Sequence, residues 1–273
     1  MAIILALAAA GLIGTGDFLG GFASRRHEAG SVVTVVYSVG VPTLLVVAPL
    51  LGGSPAATDL AWGAGSGVAG AIGLWWLYRG FARSRMAIVS PLAAVLGAAI
   101  PVVVGVATGD TPGRAGTGGL VLGLIAVVLV TRSPEGGQHG SIATGVIHGV
   151  GAGIAFASFF IMLSFTADGA GLWPVLPSRL VGAVALLAVI RRPPRVTRTT
   201  VPAVVVGGVF SVLGSGAFLL ATQEGDLSIV TVLTSLYPAV TVLWARLVFT
   251  ERLAVSQALG IACALVAVGL LSL

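Results

Sequence analysis

The sequence is poor in the residues that soluble chemistry relies on. It has no lysine, one cysteine and three histidines, and Asp, Glu, Lys and Arg together make up 8% of its 273 residues. A soluble domain carries about 25% charged residues, so a water-exposed globular surface is excluded. The lone Cys263 excludes an intrachain disulfide and a cysteine-based metal site. No glycine-rich loop ends in Gly-Lys, which argues against ATP hydrolysis within the chain. No two histidines or acids share one helix at metal-ligand spacing. Neither a cofactor nor an enzyme activity is expected.

What is present is apolar. Hydrophobic residues make up 57% of the chain and the mean hydropathy is +1.09. The apolar runs are of bilayer-spanning length and do not alternate with polar residues. That pattern reads as a polytopic α-helical membrane protein and not as a β-barrel. Ten spans are expected, over 2–22, 32–51, 60–81, 87–108, 115–131, 142–165, 171–190, 201–222, 227–249 and 254–271. The first run lacks a basic segment before it and is read as a span, not a cleaved signal. The stretch from Arg132 to Gly140, Arg-Ser-Pro-Glu-Gly-Gly-Gln-His-Gly, is the most linker-like of the chain and divides the spans five and five.

The halves also align. When residues 84–130 are laid on 225–271, nine of 47 positions are identical, and Asp110 falls on Glu251 in the turn before the last span of each half. The expected organisation is a first five-helix repeat over 1–133, a linker over 134–140 and a second repeat over 141–273. An odd number of spans per half makes the second enter from the opposite side, so the repeats are inverted. In transporters built this way the substrate site lies at the midplane between them.

Arginine sets the orientation. The net charge of +5 would suit nucleic acid, but the arginines sit in short loops between apolar runs, so no nucleic-acid partner is expected. Ten of them (25, 26, 83, 85, 132, 191, 192, 195, 198 and 252) lie in odd-numbered loops, and Arg114 stands alone in the even-numbered ones. The positive-inside rule puts the odd loops in the cytoplasm and both termini outside. The lysine-free, Ala/Gly/Arg-rich composition points to a bacterial source, hence an inner (plasma) membrane.

The closing stretch LSIVTVLTSLYPAVTVLWARLVFTERLAVSQALGIACALVAVGLL resembles an EamA-type repeat of the drug/metabolite transporter superfamily. The shared pattern is a small residue after an acidic turn, a proline within one helix, a glutamate in the next turn and a glycine-bearing last helix. Here these are Ser228, Pro238, Glu251 and Gly260. The first half, YRGFARSRMAIVSPLAAVLGAAIPVVVGVATGDTPG, is similar but looser, with Asp110 in place of the glutamate. The resemblance implies transport by alternating access, with export the commoner direction. It also implies a cavity between spans one, three and four and their counterparts six, eight and nine. The chain departs from the family's pattern in its charges, because the loop over 52–59 has no arginine while its second-half counterpart has four.

Several residues are candidates for substrate binding or coupling. Only eleven residues, 180–190, separate Arg179 from the Arg191-Arg192 turn, too few to span, so it sits within the bilayer's depth. It either snorkels to the opposite face or faces a cavity. Asp17 in span one either caps or pairs near the interface, or serves proton coupling or an amine-bearing substrate; a pair with Arg179 is a third reading. His148, set among glycines, is a helix–helix hydrogen bond or a proton relay. Trp75, Trp76 and Tyr78 form an interfacial belt or a cavity wall, and Phe156 with Phe159 and Phe160 carries the same ambiguity. Ser90, Phe218 and Tyr237 complete the set, in spans four, eight and nine. Pro91, Pro101 and Pro238 are hinge candidates. Glycines four apart, such as Gly63/Gly67 and Gly145/Gly149/Gly153, read as close helix contacts.

The function this supports is secondary transport, with export favoured, of a small neutral, zwitterionic or amphipathic metabolite. The expected partners are that substrate, a proton or another ion and the lipid bilayer, in a monomer or homodimer. A lipid-carrier flippase, a membrane-embedded enzyme and a scaffold subunit are the alternatives.

Overall fold

The computed structural model describes residues 1–24, 26–83, 86–131, 142–190, 194–249 and 255–271. Among them there is no strand. The elements are α1 (Ala2–Ser24), α2 (Ala29–Leu51), α3 (Ala57–Arg83), α4 (Met86–Thr108), α5 (Arg114–Thr131), α6 (Ile142–Ser164), a 3₁₀ turn (Asp168–Ala170), α7 (Val175–Ile190), α8 (Val201–Glu224), α9 (Leu227–Thr234), α10 (Tyr237–Phe249) and α11 (Val255–Leu271). Five of these helices are long and apolar enough to cross a membrane, and five shorter apolar segments accompany them. Large apolar side chains such as Ile4, Val103, Ile147, Val184 and Leu265 point outward. That surface suits lipid and not water.

The described loops fall at two ends. The N-terminal Ala2 lies beside Gly225. Ser54 N–H donates to the Gly169 carbonyl at 2.8 Å. Ala167 N–H donates to Asp59 Oδ1 at 2.9 Å, and Gln223 Nε2 to the Ala167 carbonyl at 3.3 Å. Ser228 N–H donates to Asp110 Oδ2 at 2.7 Å. The loops after α2, α4, α6 and α8 therefore share one end with Ala2. At the other end His27 Nε2 meets Thr200 Oγ1 at 3.1 Å and Thr197 Oγ1 at 3.3 Å, joining the loops after α1 and α7. The first end carries Asp59, Asp110, Asp168, Glu224 and Asp226 against Arg114; the second carries Arg26, Arg79, Arg195 and Arg198 against Glu28.

Packing follows small residues. Helix α3 lays Gly63 against the backbone of Pro174, just before α7, and Gly67 against that of Ser178 within it. Gly149 and Gly153 of α6 face the backbone of Val89 and Ala93 in α4 in the same way. Without a Cβ on these faces the helices approach closely enough for dispersion to hold them, the main attraction available inside a bilayer. α1 packs on α8, α3 on α6, α2 on α7 and α5 on α11.

The single span expected over 227–249 is two helices. α9 stops at Thr234, the Leu236 N–H turns back to Leu233 at 3.2 Å, and α10 begins at Tyr237. Pro238 is the second residue of α10, where its missing N–H costs no helix bond. Pro91 and Pro101 lie inside the unbroken α4. Glu251, the second turn-marking acid, lies outside the described residues, as do the side chains of Ser90, Pro91 and Pro238.

Candidate functional site

The helices line a half-open cavity of about 60 Å³. Its wall is Ile13 and Asp17 from α1, Tyr37 from α2, Gly70 and Leu74 from α3, Phe156, Phe159 and Phe160 from α6, Arg179 from α7, Ser211 and Ser215 from α8, and Tyr237 from α10. With a rise of about 1.5 Å per residue, Asp17 lies about 10 Å and Arg179 about 16 Å from the arginine-rich end. Both are well inside a hydrocarbon core about 30 Å thick. An apolar cluster built on Phe159, Phe160, Leu163, Leu172 and Phe218 lies toward the acidic end. A second, built on Val32, Val33, Leu77, Tyr78 and Val204, lies toward the basic end.

Arg179 is 2% exposed. It stands in the first half of α7 because Pro174 and the turn before it start that helix late. Its Nη2 donates to the Ser211 carbonyl at 3.1 Å and to Ser215 Oγ. The Tyr37 ring lies under the guanidinium, 4.7 Å from Cζ to centroid, a cation–π contact strengthened by the dry surroundings. Nε has no hydrogen-bond partner. Arg179 thus faces the cavity and does not snorkel. Asp17 stands on the wall without an ion pair to Arg179, within electrostatic reach of the Tyr37, Tyr78 and Tyr237 hydroxyls. The pairing of Asp17 with Arg25 or Arg26 lies partly outside the description, since Arg25 is not described.

The structure therefore brings together Asp17, Phe156, Arg179 and Tyr237 of the expected set. The others are elsewhere. Trp75 carries the Arg79 guanidinium over its ring at 4.7 Å, toward the basic end. Trp76 packs on the His148 ring at 5.6 Å and over Gly151. His148 donates Nδ1–H to the Thr144 carbonyl one turn back at 2.8 Å, so its bond stays within α6. Tyr78 is buried with its hydroxyl against Gly20. Phe218 is fully buried, 4.6 Å from Phe160 between ring centroids, and supports the wall from behind. Tyr37, Ser211 and Ser215 were not singled out by sequence. The serines stand four apart in an apolar helix, which is the signal that marks a polar helix face, and Tyr37 is the one aromatic residue of α2.

At the acidic end, burial raises the Asp226 carboxyl above the ordinary range, and the nearby Asp110 charge raises it further. Asp110 itself holds the Ser228 amide at the start of α9.

The fold and this cavity define a multi-pass α-helical membrane protein with a polar pocket buried among apolar helices. Residues 143–273 match the sequence model of the EamA-like transporter family, so the second half of the chain is an EamA-like domain of the drug/metabolite transporter superfamily. Members of that family are transporters. No curated protein matches the chain. A solved structure titled "Crystal structure of protein" superposes with a TM-score of 0.78 over 98% of this chain and 95% of its own, at 15% identity. That likeness shows a shared fold.

Proposed function

We propose that the chain is a secondary transporter that moves a small neutral, zwitterionic or amphipathic metabolite across the cell membrane by alternating access, in the export direction. One observation carries the reading. A cavity deep in the bilayer holds one acid and one arginine that do not pair with each other, and its wall is drawn from α1–α3 and from α6, α7, α8 and α10. A scaffold has no reason to keep two unpaired ionisable groups at that depth, where each costs several kcal/mol. The apolar clusters on either side of the cavity suit two gates around one site.

The ten-span, inverted-repeat organisation belongs to the same proposal, with 1–133 and 141–273 as the halves. The packing supports it: α1 on α8 becomes α6 on α3 when the halves are exchanged, while α2 on α7 and α5 on α11 map onto themselves. The segregation of arginine to one end supports a cytoplasmic face there and termini outside. Cells of a bacterial inner-membrane host, with and without the gene, would be profiled for metabolites taken up and released, alongside an Arg179→Ala control. The expected result is one class of metabolite depleted inside and enriched outside only with the unsubstituted protein. Identical profiles in all three strains would refute transport.

A further inference from the structure

We infer that the free Nε edge of Arg179 is an oxyanion subsite, and that the transported molecule is an apolar monocarboxylate, zwitterionic forms included. This deepens the transporter reading and rests on it.

Three neighbours hold the Arg179 side chain in place. Gly40 leaves room for its stem: a methyl group there would lie 2.8 Å from Arg179 Cγ and 2.9 Å from Cδ. The Tyr37 ring takes one face. Nη2 is spent on the Ser211 carbonyl and on Ser215 Oγ. Such fixing leaves little rotamer freedom to lose on binding, which favours affinity. Nε, buried with the rest, has nothing to donate to. An arginine kept only for structure has its donors satisfied; an orphaned donor beside a cavity is a place prepared for an acceptor. The positive charge selects an anionic acceptor, because charge-assisted bonds to carboxylates are short and strong.

The rest of the wall fixes the class. Arg179 is the cation among the lining residues, and Asp17 is the acid there. A phosphate dianion or a dicarboxylate would bring a second negative charge into the cavity with no second cation on its wall to meet it. A single carboxylate is matched, and an ammonium on the same molecule is tolerated beside Asp17. Ile13, Leu74, Phe156, Phe159 and Phe160 give the body of the molecule an apolar and aromatic surround.

The test uses purified full-length protein and matched probes: 3-phenylpropanoate against 3-phenylpropanamide, L-phenylalanine against L-phenylalaninamide, and phenyl phosphate. Binding is measured by titration calorimetry on the unsubstituted protein, Arg179→Gln and Ser215→Ala. The carboxylates are expected to bind about tenfold or more tightly than their amides, the yield of one charge-assisted bond. Phenyl phosphate should bind more weakly than phenylpropanoate. Arg179→Gln should erase the carboxylate preference, and Ser215→Ala, which keeps the charge, should retain it. Amides that bind as tightly as acids in the unsubstituted protein overturn the subsite even if Arg179→Gln fails to fold. So does phosphate binding that matches the carboxylate, a preference that survives Arg179→Gln, or no binding by any probe. Export of uncharged metabolites in the profiling experiment would sink the subsite and leave transport standing; loss of transport with the binding preference intact would do the reverse.

Discussion

Replacing Gly67 by alanine should destabilise the helix pair that carries Arg179. A methyl carbon at Gly67 would sit 2.6 Å from the Ser178 carbonyl carbon and closer still to its oxygen. Both are backbone atoms of α7, so no side chain can swing aside and the helices must part. Parting them stretches the Ser66–Ser178 hydroxyl bond of 3.1 Å and displaces the residue next to Ser178, which is Arg179. Overpacking of this kind costs about 1–3 kcal/mol. Alanine's better helix propensity returns at most about 1 kcal/mol, so destabilisation wins. The melting temperature of purified protein in detergent should fall by on the order of 5 °C. Gly11→Ala is the control, because nothing lies within 4 Å of its added methyl; it gains the propensity without the clash and should be neutral or slightly stabilising. If Gly67→Ala melts at or above the unsubstituted protein while Gly11→Ala behaves as stated, the close backbone approach of α3 and α7 is wrong.

Asp59 is 4% exposed and accepts from Ala56 N–H at 2.8 Å and Ala167 N–H at 2.9 Å. Asp59→Ala should cost about 2–4 kcal/mol by orphaning two amides, and Asp59→Asn about half of that, read by chemical unfolding in mixed micelles. Asp226→Asn should raise thermal stability slightly at neutral pH. The folded-state pKa of Asp226 is raised, so its ionised form penalises the native state above that pKa; the gain should fade as pH falls through the ordinary carboxylate range and both states become protonated. A gain that persists unchanged at low pH would point to a cause other than charge. Asp17→Asn should abolish uptake driven by a proton gradient in vesicles while sparing exchange of labelled for unlabelled substrate, and full proton-driven activity in that variant would remove Asp17 from coupling.

The broad architecture was legible because bilayer thickness and positive charge act along the chain one residue at a time. Run lengths placed most helices, and the arginine-rich loops share an end wherever the structure describes them. Arg179 could be assigned to the interior by counting eleven residues to the next charged turn. The break between α9 and α10 was not legible. Proline occurs in both α4 and the α9–α10 segment, yet α4 continues through Pro91 and Pro101, because membrane helices absorb a lost N–H through neighbouring groups. The cavity wall was only partly legible for a geometric reason. Trp75, Trp76 and Tyr78 are neighbours in sequence, but successive helical residues point about 100° apart, so they serve three different contacts. Ser211, Ser215 and Tyr37 come from helices that meet Arg179 only after folding, and their relation to it is invisible until α2, α7 and α8 are packed.

Among the described residues, the ties between residues 1–131 and residues 142–271 differ in kind at the two ends. At the acidic end the described ties between halves include two carboxylate-to-amide bonds, Asp59 to Ala167 and Asp110 to Ser228. At the basic end the described ties include an imidazole among threonine hydroxyls, His27 with Thr197 and Thr200. Hydrogen bonds to an ionised acceptor are roughly twice as strong as neutral ones, and an aspartate that releases an amide leaves a charge to be rehydrated while a threonine does not. Any motion that parts the ends of α3 and α6, or of α4 and α9, at the acidic end must free Asp59 and Asp110 from these amides.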